Sequence, residues 1–380
     1  MGASIAFHIA TTDPSKRILI LDQHGVLGGM SGRTFGQIRL HYSNELTLQM
    51  ARFGVGYVQN WDREVGVGAS GYVALGYLLI AAETDLAACE RNVALAQGLG
   101  IETRCVDRAE IAALEPAINT EGLAGGAWEP SGGYIDITRM TLGWFEAARA
   151  VGNVEVRSGV TVEALEVANG AVTGVETSVG RVAAEQVVVA AGPWSRGLLA
   201  TAGVNAPIDA YRLDTMYCQV PDGARQVQRC VTDCQSNIVV RPDMGPVMLA
   251  AAYPGTMEQV AEPLVIPTPE SEAAHLERIE AACRERFPGL AGATPIRSVS
   301  GSYDITPDWH PVLGTVENCE GLHLAAGFSG HGLKLSPAVG QVIAAGVLGQ
   351  TPAFDIHPLR LSRFAENEPM YLAYGPGGRA

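Results

Sequence analysis

The sequence predicts an α/β fold in which a discontinuous domain receives a second, α+β domain as an insertion. Three observations carry this expectation. A helical stretch at the N-terminus runs straight into a buried strand that ends in an acid. A β-branched run at 186–191 enters a Gly-Pro turn and another helix. Near the C-terminus a strand, a glycine-rich loop and a helix follow one another. Strand–helix alternation at both ends, with mixed material between, is the pattern of a domain split by an insertion.

Gly2–Ala10 reads as a helix, small residues first and apolar ones recurring after, and Arg17–Asp22 (RILILD) as the strand that follows. Together they form the second half of a βαβ unit. The sequence opens at that helix, so the expectation is a lost N-terminus that would have supplied the first strand and its glycine turn. Gly71–Ala82 reads as strand and turn, and Thr84–Gly98 and Ile137–Ala150 as helices. Asn153–Arg157, Thr161–Val167 and Val172–Val179 alternate as strands about turns at Ser158-Gly159 and Asn169-Gly170. Gln186–Ala191 is a buried strand that enters Gly192-Pro193-Trp194-Ser195. Glu270–Phe287 is a polar amphipathic helix that stops before Pro288. Gly321–Ala326 is a strand, Gly327–Gly332 a glycine loop and Ser336–Leu348 a helix. The tail after Thr351, rich in Pro, Arg and Gly, is expected to form a surface strap.

Composition narrows the function classes. The formal net charge is −14, which argues against a nucleic-acid or anionic-membrane partner, because binding phosphates needs a basic surface. With 47% hydrophobic and 17% charged residues, the chain is too apolar to be disordered. Seven scattered cysteines fit a reducing compartment better than a disulfide framework, and the default expectation is cytoplasmic. Cys230 and Cys234 are spaced C-x3-C, but no second Cys/His pair completes a set of ligands, so no metal is expected. No apolar run is long enough to predict a membrane span.

Two constellations carry chemistry. Gly2 and Asp22 have the spacing of the last glycine of a G-x-G-x-x-G turn and the acid that accepts ribose hydroxyls. Alone this half-motif is weak, since a small N-terminal residue and a strand-end acid are common. The second is L-H-L-A-A-G-F-S-G-H-G-L-K over 322–334. A strand, a glycine loop and a helix N-terminus in sequence present backbone N–H groups to an electron-rich ligand.

The C-terminal segment, together with Tyr303–Gly314 (YDITPDWHPVLG), resembles the D-amino-acid oxidase superfamily, in its branch of sarcosine, dimethylglycine and glycine oxidases and dehydrogenases. Val187–Ser195 (VVVAAGPWS), Gly133–Asp136 (GYID) and Phe35–Tyr42 (FGQIRLHY) match in family order. The resemblance implies a Rossmann-like FAD-binding domain over 1–75, 136–212 and 303–350. It implies a substrate domain with a large, mostly antiparallel sheet over 76–135 and 213–302, and a tail over 351–380. It implies FAD, with Gly2 and Asp22 contacting its ADP half, the strand around Val160 meeting the adenine, and Gln23, Ser31, Ala191, Gly192 and Trp194 also binding the cofactor. Gly327, Gly330, His331, Gly332, Leu333 and Lys334 would lie toward its ring.

The same resemblance assigns Arg39 and Lys334 to the substrate carboxylate, against the plain reading of a surface arginine and a solvated lysine. Chemistry gives them a reason, because gripping the carboxylate aims the C–H bond next to the amine at the flavin. His331 is expected beside the ring, as a hydrogen-bonding partner, as a base or as a loop-ordering residue. Tyr303 is expected to line the pocket, with a structural hydroxyl as the other reading. His41 and Tyr42 are expected behind Arg39, and His310 to be structural.

Two departures from the family pattern bear on the chemistry. Gly301 stands where monomeric sarcosine oxidases carry the cysteine that links flavin, so FAD is expected to be non-covalent. The strand region Asn237–Tyr253 holds Arg241 as its only cation, where those oxidases carry an oxygen-activating lysine, so the electron acceptor stays open between oxygen and another carrier. The functional expectation is oxidation of the C–N bond of a small amino acid or N-alkyl amino acid to an imine. The alternatives are a non-catalytic flavoprotein scaffold and, last, an NAD-dependent dehydrogenase.

Overall fold

The computed structural model describes residues 1–252, 257–263, 273–290 and 292–374. Two bodies of secondary structure share the chain. In the first, strand Arg17–Asp22 pairs in parallel with Asn153–Ser158, and Val187–Val189 pairs in parallel with Leu322–Ala326, which Val312–Thr315 extends antiparallel. The N-terminal helix Gly2–Thr12 packs against helix Ile137–Val151 and the C-terminal helix Gly332–Val347. Its residues 3–10 are all buried, which explains why it is apolar on every side. A meander of Val162–Ala168, Ala171–Thr177 and Val182–Ala183 follows.

The second body is a nine-stranded, mostly antiparallel sheet. Its spine is the long antiparallel pair Asp209–Gln219 and Thr294–Ile305, in register from Asp209↔Ile305 to Tyr217↔Arg297 and, past a one-residue shift, paired on to Gln219↔Thr294. Cys230–Asp233 joins Tyr77–Ile80 in parallel, and Gly126–Glu129 and Arg104–Val106 continue the sheet. Helix Ala273–Arg286 packs on one face and closes a core of Met216, Val240, Ile279 and Phe287. The boundaries expected at 212/213 and 302/303 fall inside the two long strands of this sheet.

Two expectations about elements need correction, and a third falls partly outside the described residues. The last helix begins at Gly332, four residues before the expected Ser336. Pro337 lies inside it, and a proline there removes the N–H that would reach Leu333. The Ser336 hydroxyl donates to the Leu333 carbonyl instead, at 2.6 Å, so the turn survives. The polar helix starts within the described residues at Ala273, and Glu270–Glu272 lie outside them. The tail is less superficial than a strap. Arg363 is fully buried and grips Asp308 through Nε and Nη2 at 2.8 and 2.9 Å, and Leu359 is buried with it. Residues 375–380 of the expected tail lie outside the described residues.

Candidate active site

Arg39 follows the short strand Gln37–Ile38, which pairs with Gly133–Ile135. Gly36 permits that approach: its φ is +78°, and a Cβ there would stand 2.8 Å from the Ile135 carbonyl. The next peptide is fixed from the large sheet, because Leu40 N–H donates to Oε2 of Glu129 at 2.7 Å. The Arg39 side chain is buried. It donates to the His41 carbonyl, lies over the Tyr42 ring with Cζ 4.5 Å from the centroid, and places Nη2 3.3 Å from Nε2 of His331.

His331 and Lys334 come from the glycine loop. The Asp304 carboxylate accepts N–H bonds from Gly327 at 2.7 Å and Phe328 at 3.1 Å, and its carbonyl accepts Ser329 N–H at 2.9 Å. This anchors the loop to the end of strand Thr294–Ile305. Burial pushes the Asp304 carboxyl up to about 6 even with those donors beside it. Gly330 has φ +82°, and a Cβ there would meet the Tyr303 ring at 2.6 Å, so the loop lies directly on that ring. Burial pushes the Tyr303 hydroxyl up to about 12, against the pull of Arg39. Lys334, third residue of the C-terminal helix, is buried as well. A Cβ on Gly54 would fall on its carbonyl, so helix Glu45–Gln59 seats that first turn at close range. Burial and the neighbouring Arg39 hold the Lys334 ammonium well below its usual range, while Glu129 supports its charge. Arg39, His331, Lys334 and Tyr303 therefore converge.

The second group of predicted residues borders this one. Asp22 ends its strand with Oδ1 accepting from His24 N–H and Gly25 N–H, both at 2.8 Å, which leaves Oδ2 for a ribose hydroxyl. Gln23 follows it directly. Val160 N–H donates to the Asp22 carbonyl at 3.2 Å, so that amide is already committed to the protein. The His24 ring lies 6.2 Å from the ring of Trp194, in the turn Gly192–Trp194 whose N–H returns to the Ala191 carbonyl. Ser31 is exposed in the turn Met30–Arg33, and Ser302 N–H donates to Sδ of Met30 at 2.9 Å beside Tyr303. Arg241 is held elsewhere: its guanidinium donates to the carbonyls of Phe35 and Pro242 and lies over the Tyr134 ring.

These residues fit an FAD. The N-terminal and C-terminal helices start side by side, with Ser4 Oγ donating to the Ser336 carbonyl at 2.7 Å, and neither start is capped by a side chain. Two sets of first-turn N–H groups are thus open to an anion and an electron-rich ring. At Gly2, Gly29 and Gly192 a Cβ would meet nothing within 4 Å, so the space beside these backbones is open.

Two residues escaped the sequence reading. Asp304 lay inside a quoted motif and Glu129 inside W-E-P-S-G-G. The available signal for Glu129 was a lone acid in an otherwise apolar strand. Glu129 is fully buried, with Oε1 4.0 Å from Nδ1 of His41. Burial pushes it up to about 7, and Arg39 and Lys334 pull it down.

A split, partly parallel domain mated to a large antiparallel sheet, with two uncapped helix starts side by side, is an arrangement that suits a flavin-dependent oxidoreductase. The chain belongs to the FAD-dependent oxidoreductase (DAO) family, whose description "FAD dependent oxidoreductase" matches residues 1–345. It is 28% identical to 4-methylaminobutanoate oxidase (formaldehyde-forming) of Paenarthrobacter nicotinovorans, over 98% of this chain and 46% of that protein. It thus spans less than half the length of that relative. It is 27% identical to human peroxisomal sarcosine oxidase, over 96% of this chain and 93% of that one. Among solved structures, L-proline dehydrogenase from P. horikoshii aligns with a TM-score of 0.87 at 21% identity, covering 97% of this chain and 96% of that one. Glycine oxidase from Geobacillus kaustophilus aligns at 0.82 and 22%, covering 95% of each. These two likenesses speak to the fold. Among the described residues, no helix is long and apolar enough to cross a membrane.

Proposed function

We propose that the chain oxidises the C–N bond of a small, carboxylate-bearing amine, an amino acid or N-alkyl amino acid of the sarcosine or glycine type. The substrate loses a hydride from carbon and a proton from nitrogen, and water hydrolyses the resulting imine to an oxo acid or an aldehyde. The observation that carries this reading is the buried pair of cations, Arg39 and Lys334, gathered around His331 at an open helix start. FAD, when bound, supplies the hydride acceptor.

The protein supplies grip and orientation. Arg39, with its guanidinium plane fixed over Tyr42, offers a fork to the carboxylate, and Lys334 a point charge. Fixing the acid end leaves the C–H bond few directions to point, which is where orientation lowers the barrier. Tyr303 and His331 wall the pocket, and the Asp304 bonds hold the loop that carries His331. The seven cysteines, all free, support a reducing compartment such as the cytoplasm.

Anaerobic mixing of the flavin-loaded protein with sarcosine, glycine, proline and other amino acids tests the reading. Bleaching of the flavin band by at least one of them is expected. No bleaching by any would sink it in favour of the scaffold. Mixing the reduced protein with oxygen then separates an oxidase from a dehydrogenase.

A further inference from the structure

Arg39 can grip a carboxylate only as firmly as its own guanidinium is held, and one of its partners is the His41 carbonyl. The stretch that carries this carbonyl is tied from three sides. On the large sheet, Oε2 of Glu129 accepts Leu40 N–H at 2.7 Å. From helix Leu86–Gly98, the buried Asn92 amide places Nδ2 3.4 Å from Nε2 of His41 and 3.3 Å from Ser43 Oγ. The third tie comes from the tail. The Tyr374 hydroxyl stands 2.6 Å from Nε2 of His41, joining residues 333 apart in the chain, and the two rings lie 5.9 Å apart.

The direction of the short bond follows from the donors. Burial and Arg39 hold His41 down at about 3, so its ring is neutral and one of its nitrogens accepts. An amide nitrogen can only donate, which makes Nε2 the acceptor. Burial raises Tyr374, so its hydroxyl keeps its proton and donates. Nδ1 then carries the ring proton and faces Oε1 of Glu129 at 4.0 Å.

The tail is braced along this reach. Arg363 Nε and Met370 N–H both donate to Asp308. Met370 and Leu372 pack against the core that holds Ile38, Leu40 and Tyr42, whereas Tyr374 packs against the separate cluster of Phe35, Tyr77 and Cys89. Residues 370–374 thus bridge two cores, and the hydroxyl at their end meets the residue two places after Arg39.

We propose that Tyr374 is a positioning residue for Arg39: through the His41 ring it fixes the carbonyl to which the guanidinium donates, and so the angle at which the fork meets a substrate carboxylate. This rests on the reading of Arg39 as a carboxylate grip. The tail then contributes to substrate affinity without touching substrate, and loss of one hydroxyl loosens the grip without removing its charge.

Titration of the flavin-loaded protein with propionate at constant ionic strength, followed by the flavin band, tests this in a double-mutant cycle. Tyr374→Phe keeps the ring among its apolar neighbours and removes the hydroxyl. It is expected to weaken propionate binding about three- to tenfold, the size of one neutral hydrogen bond, with flavin content as in wild type. In the Arg39→Met background the same change is expected to shift affinity by less than about twofold, because no guanidinium is left to aim. A full shift in that background would overturn the proposal, since Tyr374 would then act on the pocket at large. Wild-type affinity in Tyr374→Phe, beside weak binding in Arg39→Met, overturns the proposal and leaves the grip standing. Wild-type affinity in Arg39→Met overturns the grip and this proposal together.

Discussion

The hydroxyl of Ser4, in the first turn of the N-terminal helix, donates to the carbonyl of Ser336 across 2.7 Å, joining residues 332 apart in the chain. Gly340, one turn further along the C-terminal helix, makes this contact possible. A Cβ there would stand 2.2 Å from Ser4 Oγ and 2.5 Å from Nδ1 of His8. A side chain there would displace Ser4 Oγ and the His8 ring or part the helices, and the starts of these helices border the proposed FAD site. Gly340→Ala is therefore expected to destabilise the fold by about 1–3 kcal/mol, the usual range for overpacking. It is also expected to lower the flavin bound per chain after purification. Thermal melting and the flavin-to-protein absorbance ratio check both. An unchanged flavin content would detach the helix contact from the cofactor.

Arg39 and Lys334 are expected to fail differently. Arg39→Lys keeps the charge but loses the fork and the plane that lies over Tyr42, and should raise KM for the amino acid at least tenfold. Lys334→Met removes a charge that burial already weakens, so its effect on KM should be smaller than that of Arg39→Met. Steady-state kinetics on the best substrate found by flavin bleaching decides, and an equal KM for wild type and Arg39→Lys would remove the bidentate role.

The parts of the site legible in sequence were those whose chemistry is local. Arg17–Asp22 reads as a strand from its own β-branched and aliphatic run, and the loop at 327–332 from its own glycines. Glu129 was not legible, because its role arises only when the large sheet brings it to Leu40, 89 residues away. The last helix starts four residues before the expected Ser336, and the repair of its Pro337 turn by the Ser336 hydroxyl is visible only in three dimensions. The tail read as polar and therefore superficial, since nothing local says that Arg363 has a buried carboxylate waiting for it.

Acid should unfold the protein through its histidines. Burial holds His8 and His310 down at about 4 and His41 at about 3, well under the ordinary value near 6.5. These side chains stay neutral in the fold and become charged on unfolding. Their stability is present above about pH 6.5 and is lost as pH falls toward 4, at up to roughly 1.4 kcal/mol per pH unit for each proton taken up. Glu129 and Asp304, pushed up to about 7 and about 6, work in the opposite direction over part of that window, so the net slope should be below that of three histidines. His8→Leu should flatten the fall by close to one proton. Denaturant melts at pH 7, 6 and 5 on the two proteins measure it, and equal slopes would rule His8 out as a contributor.

Arg363 and Asp308 give the sharpest test of how the tail is held. Both are essentially inaccessible. Asp308 also accepts Met370 N–H at 3.0 Å, and Arg363 donates to the His310 carbonyl at 2.8 Å, so the pair ties residues 359–370 to the segment that follows Tyr303. Removing one partner leaves a buried charge alone, which costs about 3–5 kcal/mol, whereas removing both costs much less than the sum. Arg363→Met and Asp308→Asn are each expected to lower stability by several kcal/mol, and the double variant by little more than either one. Full additivity in the cycle would mean that the two side chains do not act as a pair. The tail would then be held by Leu359 and its apolar neighbours rather than by charge.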